Sequence, residues 1–215
     1  MLIEKQADGK LKLSQPHIIA QVLDDLWFNA KTNPKPTPAP GGQVLQREID
    51  APAMAEDFHY RSVVGKVNFL EKSTRPDIAV ATHQCARFSS DPKHSHADAL
   101  QYIGKYLIGT KDEGIYLDPC HGKLFECWVD ADFLGQYVQG APNMHLDAMT
   151  AKSRTGFLIT YAGCPITWGS KLQRESALST TESEYMAILE SFRSLLPMMG
   201  LLEEAREKGV PVKSG

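Results

Sequence analysis

Residues 125–187 constrain the fold of this chain more than any other stretch, because they combine a strand-like run with a helix-like run. In the segment FECWVDADF, small or apolar residues alternate with a tryptophan and two aspartates. This period of two is typical of a β-strand with distinct faces. The alternation places Asp130 and Asp132 on the same face. We therefore expect a strand that presents two carboxylates, an arrangement that favours a partner cation.

The segment LSTTESEYMAI, further along the chain, predicts the start of a helix. Ser179 and Thr181 are good N-cap residues, and they put Glu184 in the first helical turn. Apolar residues then recur at spacings of three and four, as in an amphipathic helix. This apolar series consists of Tyr185, Ile188, Leu189, Phe192 and Leu196.

Two further strand-like runs, GFLITYAG and CPITWGSKL, lie between these segments and meet at Gly163, which suits a hairpin. The predicted order is therefore strand, strand, strand, helix. It brings Asp130 of the first strand and Glu184 of the helix start into one small unit.

The chain before residue 121 is predicted to be mainly helical. A short hairpin around residues 8–10 precedes a helix over Gln15–Phe28, and a second helical block begins at Asp57 and is divided at Pro76. Prolines in TNPKPTPAPGG remove backbone donors and predict an extended linker. We expect an α+β protein with four parts: 1–33, the linker 34–56, the helical region 57–120, and the sheet and helix 121–215.

Two pairs of polar residues in this first part resemble functional sites but have simpler interpretations. Asp24 and Asp25 lie in a helical pattern rather than on a strand hairpin, which favours a solvated surface. His94 and His96 lack further ligands at a converging spacing, so we interpret them as the lead-in to a helix rather than a metal site.

Composition excludes several classes of protein. The formal charge of −3 gives no general attraction for nucleic acid, so any such contact needs a local patch. The four cysteines form no CxxC pair, which favours reduced thiols in a cytoplasmic or nuclear protein. We expect no membrane segment and no targeting signal, because no apolar run is long enough for either.

The same segments resemble a known family. VDADFLG, SRTGFLITYAGCPITWGSKLQ and ALSTTESEYMA are similar to the N-terminal half of the ribonuclease H domain in copia-type retrotransposon Pol polyproteins. Upstream, LSQPHIIAQVL and YRSVVGKVNFLEKSTRPDIAVATHQCARFSSDP are similar to the segment that joins reverse transcriptase to ribonuclease H. The resemblance implies that 1–33 ends a reverse transcriptase-like region, that 57–120 is a helical connection, and that 121–215 is a truncated ribonuclease H-like unit.

The family hydrolyses RNA in RNA–DNA hybrids with metal ions, and the resemblance assigns two of its four carboxylates to Asp130 and Glu184. The other two are expected beyond Gly215, and the polymerase aspartate pair has no counterpart in the chain. We therefore expect weak or absent Mg²⁺ binding, and no activity of this chain alone, because Mg²⁺ demands near-octahedral coordination.

Each assigned carboxylate also has an alternative role. Asp130 could satisfy turn amides at a strand end, with Asp132 as a solvent-exposed or supporting group. Glu184 completes a capping box with Thr181, but Ser179 and Glu182 form an equivalent box that would leave Glu184 free for a metal.

The resemblance also implies an RNA–DNA hybrid as the partner of the parent polyprotein, with Lys152, Arg154 and Lys171 as candidate phosphate contacts. The alternative function is a non-catalytic nucleic-acid-binding or interaction protein of retrotransposon origin. Because the truncated sheet leaves an edge strand unpaired, we also expect self-association through that edge.

Overall fold

A computed structural model of the chain describes residues 1–41, 44–54, 58–120, 122–135, 137 and 147–212. The described part contains five α-helices and two three-stranded sheets, which confirms the predicted α+β class. The chain divides into two compact units, and this division differs from the four predicted parts. The first unit comprises Met1–Gln6, Leu11–Ile115 and Val138–Ala148, and the second comprises Ala7–Lys10, Tyr116–Tyr137 and Met149–Gly215.

The predicted N-terminal hairpin is present. Strand β1 (Leu2–Lys5) pairs antiparallel with β2 (Leu11–Ser14). The turn between them contains Gly9 at φ +92°, a backbone conformation that glycine adopts without steric cost. The short strand β3 (Ile115–Leu117) completes the strand order β1-β2-β3.

Four helices form the first unit: α1 (Pro16–Asp25), α2 (Tyr60–Ser73), α3 (Ala79–Ala86) and α4 (His94–Gly109). A short 3₁₀ turn, Pro76–Ile78, separates α2 from α3 at the proline, as predicted. The helices enclose one apolar core, in agreement with their periodicity. Its fully buried members include Ile19, Val22, Val63, Val67, Leu70, Leu100, Ile103 and Leu107.

The segment 34–56 contains no helix or strand longer than an isolated bridge in its described residues, yet some of these residues pack against the helical core. Leu45 is buried in the helical core, and the carbonyl of Gln46 contacts the ring of His96 at 2.8 Å. Although its prolines lack backbone donors, this segment thus contributes Leu45 to the core and one carbonyl acceptor to α4.

His96 is a buried residue within the first turn of α4, rather than part of a polar turn that precedes the helix. Its Nδ1 accepts from the backbone N–H of Lys93 at 3.0 Å, so Nε2 carries the proton that it donates to Gln46. Its ring stacks on Phe88 with centroids 3.9 Å apart. Burial lowers the pKa of His96, which keeps the ring in this neutral form.

The aspartate pair of α1 is only partly a solvated surface. Asp24 is exposed, as predicted, whereas the carboxylate of half-buried Asp25 forms an ion pair with Lys66 at 2.7 Å. Neighbouring helices therefore use one of these two carboxylates for packing.

Buried Arg75 links the 3₁₀ turn that follows α2 to the C-terminal end of α4. Arg75 donates to the Asp77 carboxylate and to the carbonyl and hydroxyl oxygens of Thr110. The Tyr106 hydroxyl also donates to Asp77, at 2.8 Å. Although burial opposes it, this set of hydrogen bonds holds the pKa of Asp77 below its usual range.

The second unit has the predicted order of strands and helix. Strands β4 (Phe125–Asp132), β5 (Arg154–Tyr161) and β6 (Cys164–Leu172) form an antiparallel sheet in the order β4-β5-β6. Ala162 and Gly163 connect β5 to β6 with φ +52° and +77°, which indicates a type I′ hairpin turn. Helix α5 (Thr180–Glu207) follows and continues through Pro197.

The apolar series that predicted α5 lies on its exposed side rather than in a core. The buried residues of α5 are instead Ser183, Ala187, Ser191 and Leu195, at regular spacings of four. These mostly small side chains let the helix lie close to the sheet.

Two general expectations can be compared with the fold. All four cysteines are free thiols. None of the described helices combines the length and the apolar composition needed to cross a membrane.

Candidate metal centre

The register of the sheet fixes which side chains share a face. Asp130 lies opposite Gly156, which in turn lies opposite Ser170. The adjacent row joins Ala131, Thr155 and Lys171. Because neighbouring residues of a strand point to opposite faces, Asp130 and Thr155 lie on opposite faces of the sheet.

Helix α5 packs on the face that carries Thr155. The side-chain amide of Gln173 donates to the Thr155 hydroxyl at 3.2 Å and to the Ser183 carbonyl at 2.8 Å. Lys171, on the same face, forms an ion pair with Glu190 of the helix. Gln173 therefore fixes the first turn of α5 beside the row that adjoins Asp130.

The N-terminal turn of α5 settles the choice between the two capping boxes. The Ser179 hydroxyl accepts from the backbone N–H of Glu182 at 3.1 Å. The Glu182 carboxylate accepts from the backbone N–H of Leu178 at 2.6 Å. Of the two alternatives, the pair Ser179 and Glu182 therefore caps the helix, and Glu184 takes no part in capping.

Glu184 is exposed near the start of α5. At about 100° per residue, its direction from the helix axis differs by about 100° from that of buried Ser183, whereas Glu190, which pairs with Lys171 of β6, differs from Ser183 by only about 20°.

Asp130 therefore lies on the face of the sheet opposite to the one on which α5, the helix that carries Glu184, packs. Asp130 and Glu184 are both exposed, and neither has a hydrogen-bond or ion-pair partner among the described residues. The described part of the chain contains no group of three or more His, Cys, Asp or Glu side chains that could hold a metal ion.

Asp132 shares the exposed face of Asp130 but is directed to the loop that follows β4. Its carboxylate lies so close to Gly135 that a Cβ atom there would come within 1.8 Å of an oxygen. The Asp132 carboxylate thus packs against the loop at Gly135.

The three predicted phosphate contacts already have partners within the unit. Lys152 donates to the carbonyl of Arg174, and Lys171 pairs with Glu190. Arg154 is only 7% exposed and donates to the Ser170 hydroxyl at 3.3 Å. A nucleic acid would have to replace these contacts at Lys152 and Lys171, and Arg154 is not on the surface.

Sequence reasoning missed two cations near Lys171. Arg174 and Arg193 line the same cleft of about 430 Å³ between the end of β6 and α5, together with Glu190. The hydrogen bond from Lys171 holds the pKa of Glu190 below its ordinary value. In the sequence, the only indication that Arg174 and Arg193 lie close together is that one follows β6 and the other is on α5.

The fold defines an α+β protein in which a helical unit is followed by a three-stranded antiparallel sheet and a long helix. Several homologues of the chain are retrovirus-related Pol polyproteins from plant copia-like transposons. The chain is 34% identical over 213 residues to the retrovirus-related Pol polyprotein from transposon TNT 1-94 of Nicotiana tabacum, covering 94% of this chain and 15% of that protein. It is 28% identical over 204 residues to the Pol polyprotein from transposon RE1 of Arabidopsis thaliana, covering 93% and 13%.

A shorter relative is matched over most of its own length. The secreted RxLR effector protein 161 of Plasmopara viticola is 35% identical over 132 residues, which cover 61% of this chain and 85% of that protein. The chain thus spans only a small part of the Pol polyproteins that it matches. No protein-family model matches the chain, and no solved structure matches it.

Proposed function

We propose that the second unit is the N-terminal half of a ribonuclease H-like site, with Asp130 and Glu184 as its two metal ligands. In the parent polyprotein, this site acts on RNA in RNA–DNA hybrids. The observation that supports the proposal best is that Glu182 caps α5, which leaves the exposed carboxylate of Glu184 without a capping role.

The two carboxylates are the type of ligand that Mg²⁺ prefers, but they are too few to bind it tightly. Two carboxylates supply the oxygen ligands that Mg²⁺ prefers, and water and substrate phosphate commonly supply the others. A bound Mg²⁺ would stabilise negative charge at the phosphate. Since the described residues add no third ligand near Asp130, binding is weak and this chain alone does not cleave the hybrid.

Phosphate contacts in this proposal fall to Lys152 and Lys171, on either side of the hairpin. Lys171 would exchange Glu190 for a phosphate, and Arg174 and Arg193 would add charge in the same cleft. Buried Arg154 would act by holding Ser170 in place rather than by touching the nucleic acid.

Metal binding is tested with Mn²⁺, a paramagnetic substitute for Mg²⁺, added to the full ¹⁵N-labelled chain. We expect selective broadening of amide signals near residues 130 and 184. Asp130→Asn and Glu184→Gln should each remove it, whereas Glu182→Gln is the control that should retain it. Broadening that survives Asp130→Asn would place the ligands elsewhere.

Activity is tested with a labelled RNA–DNA hybrid in Mg²⁺. We expect no cleavage above background from this chain. Cleavage should appear when the chain is extended by a family-like segment that supplies the missing carboxylates, and Asp130→Asn should abolish it. Cleavage by the unextended chain, or by the extended Asp130→Asn variant, would contradict the assignment.

A further inference from the structure

The outer face of α5 carries a repeat that the proposed function does not explain. Apolar residues follow one another at spacings of four, three, four and three, which is the spacing of a coiled-coil seam. We call these residues the outer seam: Tyr185, Leu189, Phe192, Leu196 and Met199. The exposed fractions of the first four are 65%, 64%, 43% and 61%.

The outer seam lies on the side of α5 opposite the sheet. At about 100° per residue, its centre is about 140° around the helix from the centre of the buried stripe that contains Ser183 and Ala187. Side chains of this size at half to two-thirds exposure present on the order of 500 Å² of apolar surface. This is near the upper limit for a monomer, and such surfaces mark interaction sites.

The outer seam is complementary to itself when a second α5 runs in the opposite direction. With Phe192 at the centre, Leu189 faces Leu196 of the other copy, and Tyr185 faces Met199. Each contact then occurs twice, as a two-fold interface requires. Antiparallel packing also aligns opposite ends of the two helix dipoles.

The free edge of β4 is a poorer surface for self-association. Glu126, Asp130 and Asp132 lie on one face of this strand, so pairing two β4 edges antiparallel would bring carboxylates of both copies together. Charged residues on an edge strand oppose such pairing. The outer seam has acidic residues only at its ends, Glu182 and Glu203, where water screens them.

We propose that the protein forms a two-fold symmetric dimer in which the outer seams of two copies pack antiparallel. The two helices lie between the two sheets. The outer seams bury about 1,000 Å² in total, which is at the lower end for a specific interface and gives a reversible dimer. This association requires neither metal nor nucleic acid, so it is independent of the proposed function.

Analytical ultracentrifugation of the full chain over a concentration series tests the proposal. We expect a monomer–dimer equilibrium that Leu189→Asp weakens at least about 100-fold, because each dimer contains two substituted sites at the centre of the interface. Leu201→Asp is the matched control, since Leu201 is 65% exposed on the same helix. It lies about 120° away from Leu189 and should leave the equilibrium unchanged.

Cysteine cross-linking tests the orientation, after Cys120 and Cys127, the natural thiols that are not buried, are replaced by serine. A mixture of Tyr185→Cys and Met199→Cys chains should form a disulfide-linked dimer. Neither variant alone should do so, because antiparallel packing separates identical positions by more than disulfide geometry permits.

Three results would overturn the proposal. The first is a chain that stays monomeric at all concentrations. The second is a dimer that Leu189→Asp leaves intact, which would place association at another surface such as the β4 edge. The third is cross-linking of Tyr185→Cys with itself, which would show parallel helices.

Discussion

Helices α2 and α4 of the first unit and α5 of the second have the same kind of apolar periodicity but opposite environments. Val63 and Leu100 are completely buried, whereas Leu189, in an equally regular series, is mostly exposed. Polar groups differ in the same way: Arg75 and His96 are buried with several hydrogen-bond partners, whereas Asp130 and Glu184 have none among the described residues.

The difference shows what helical periodicity does and does not determine. A regular apolar stripe predicts that a helix has something to pack against, but it does not identify the partner. In the first unit, the partners are other helices and the segment 34–56. In α5, the sheet covers the small-residue stripe, and the apolar stripe is left for another surface.

The largest expected effect is in the buried network of the first unit. Arg75→Ala should lower the free energy of unfolding by about 3–5 kcal/mol, because Asp77 would keep a partly buried charge without its main partner. Urea denaturation, monitored through amide exchange in α2 and α4, measures this loss of unfolding free energy. Arg193→Ala is the control: its exposed ion pair with Glu190 should cost less than about 1 kcal/mol. If both variants lost the same unfolding free energy, the buried ion pair of the first unit would be no more stabilising than the exposed pair of the second.

A pair of leucines compares the two helices directly. Leu100→Ala should destabilise the first unit by about 2–5 kcal/mol, because it leaves a cavity in a closely packed core. Leu196→Ala should cost less than about 0.5 kcal/mol in dilute monomeric protein, since the side chain is already exposed. The same denaturation experiment, run at low concentration, checks both values. A large cost for Leu196→Ala in the monomer would mean that the outer face of α5 is covered within the chain.

Sequence periodicity was sufficient for most elements of the fold. It predicted the N-terminal hairpin, helices α1 to α4, the break at Pro76 and the three strands of the second unit. These elements are local, since each is specified by residues within a few positions of one another. The packing of 34–56 was not predictable, because it depends on contacts between Gln46 and His96, far apart in the chain.

The candidate site was predictable only in part. Alternation in β4 predicted that Asp130 and Asp132 share a face, and the structure shows that this face is exposed. Two overlapping capping boxes fitted the helix start equally well, and only the structure distinguishes the one with Ser179. The burial of Arg154 and the bridge made by Gln173 depend on how the strands and α5 pack, which the sequence pattern does not reveal.

The pH dependence of stability should also differ between the units. Burial lowers the pKa of His96 below its ordinary value of about 6.5, so the unfolded chain takes up this proton first as the pH falls. The stabilisation is complete above pH 6.5 and decreases from there down to the pKa of the folded state. Unfolding of α4 measured by amide exchange between pH 7.5 and 5 should show this loss, and α5 should not. His96→Gln should flatten the profile of α4; an unchanged profile would assign the dependence to another group.

The smallest expected effect on stability concerns the residues that cap the start of α5. Ser179→Ala should destabilise the first turn by about 1 kcal/mol, because the backbone N–H of Glu182 loses its acceptor. Glu182→Gln should cost less, since an amide oxygen can still accept from the N–H of Leu178. Thr181→Ala and Glu184→Gln should leave the first turn unchanged, because neither side chain caps the helix. Amide exchange rates at residues 181–184 measure all four variants. Faster exchange in Glu184→Gln than in Ser179→Ala would mean that Glu184 caps the helix, and Glu184 would then not be free to bind a metal.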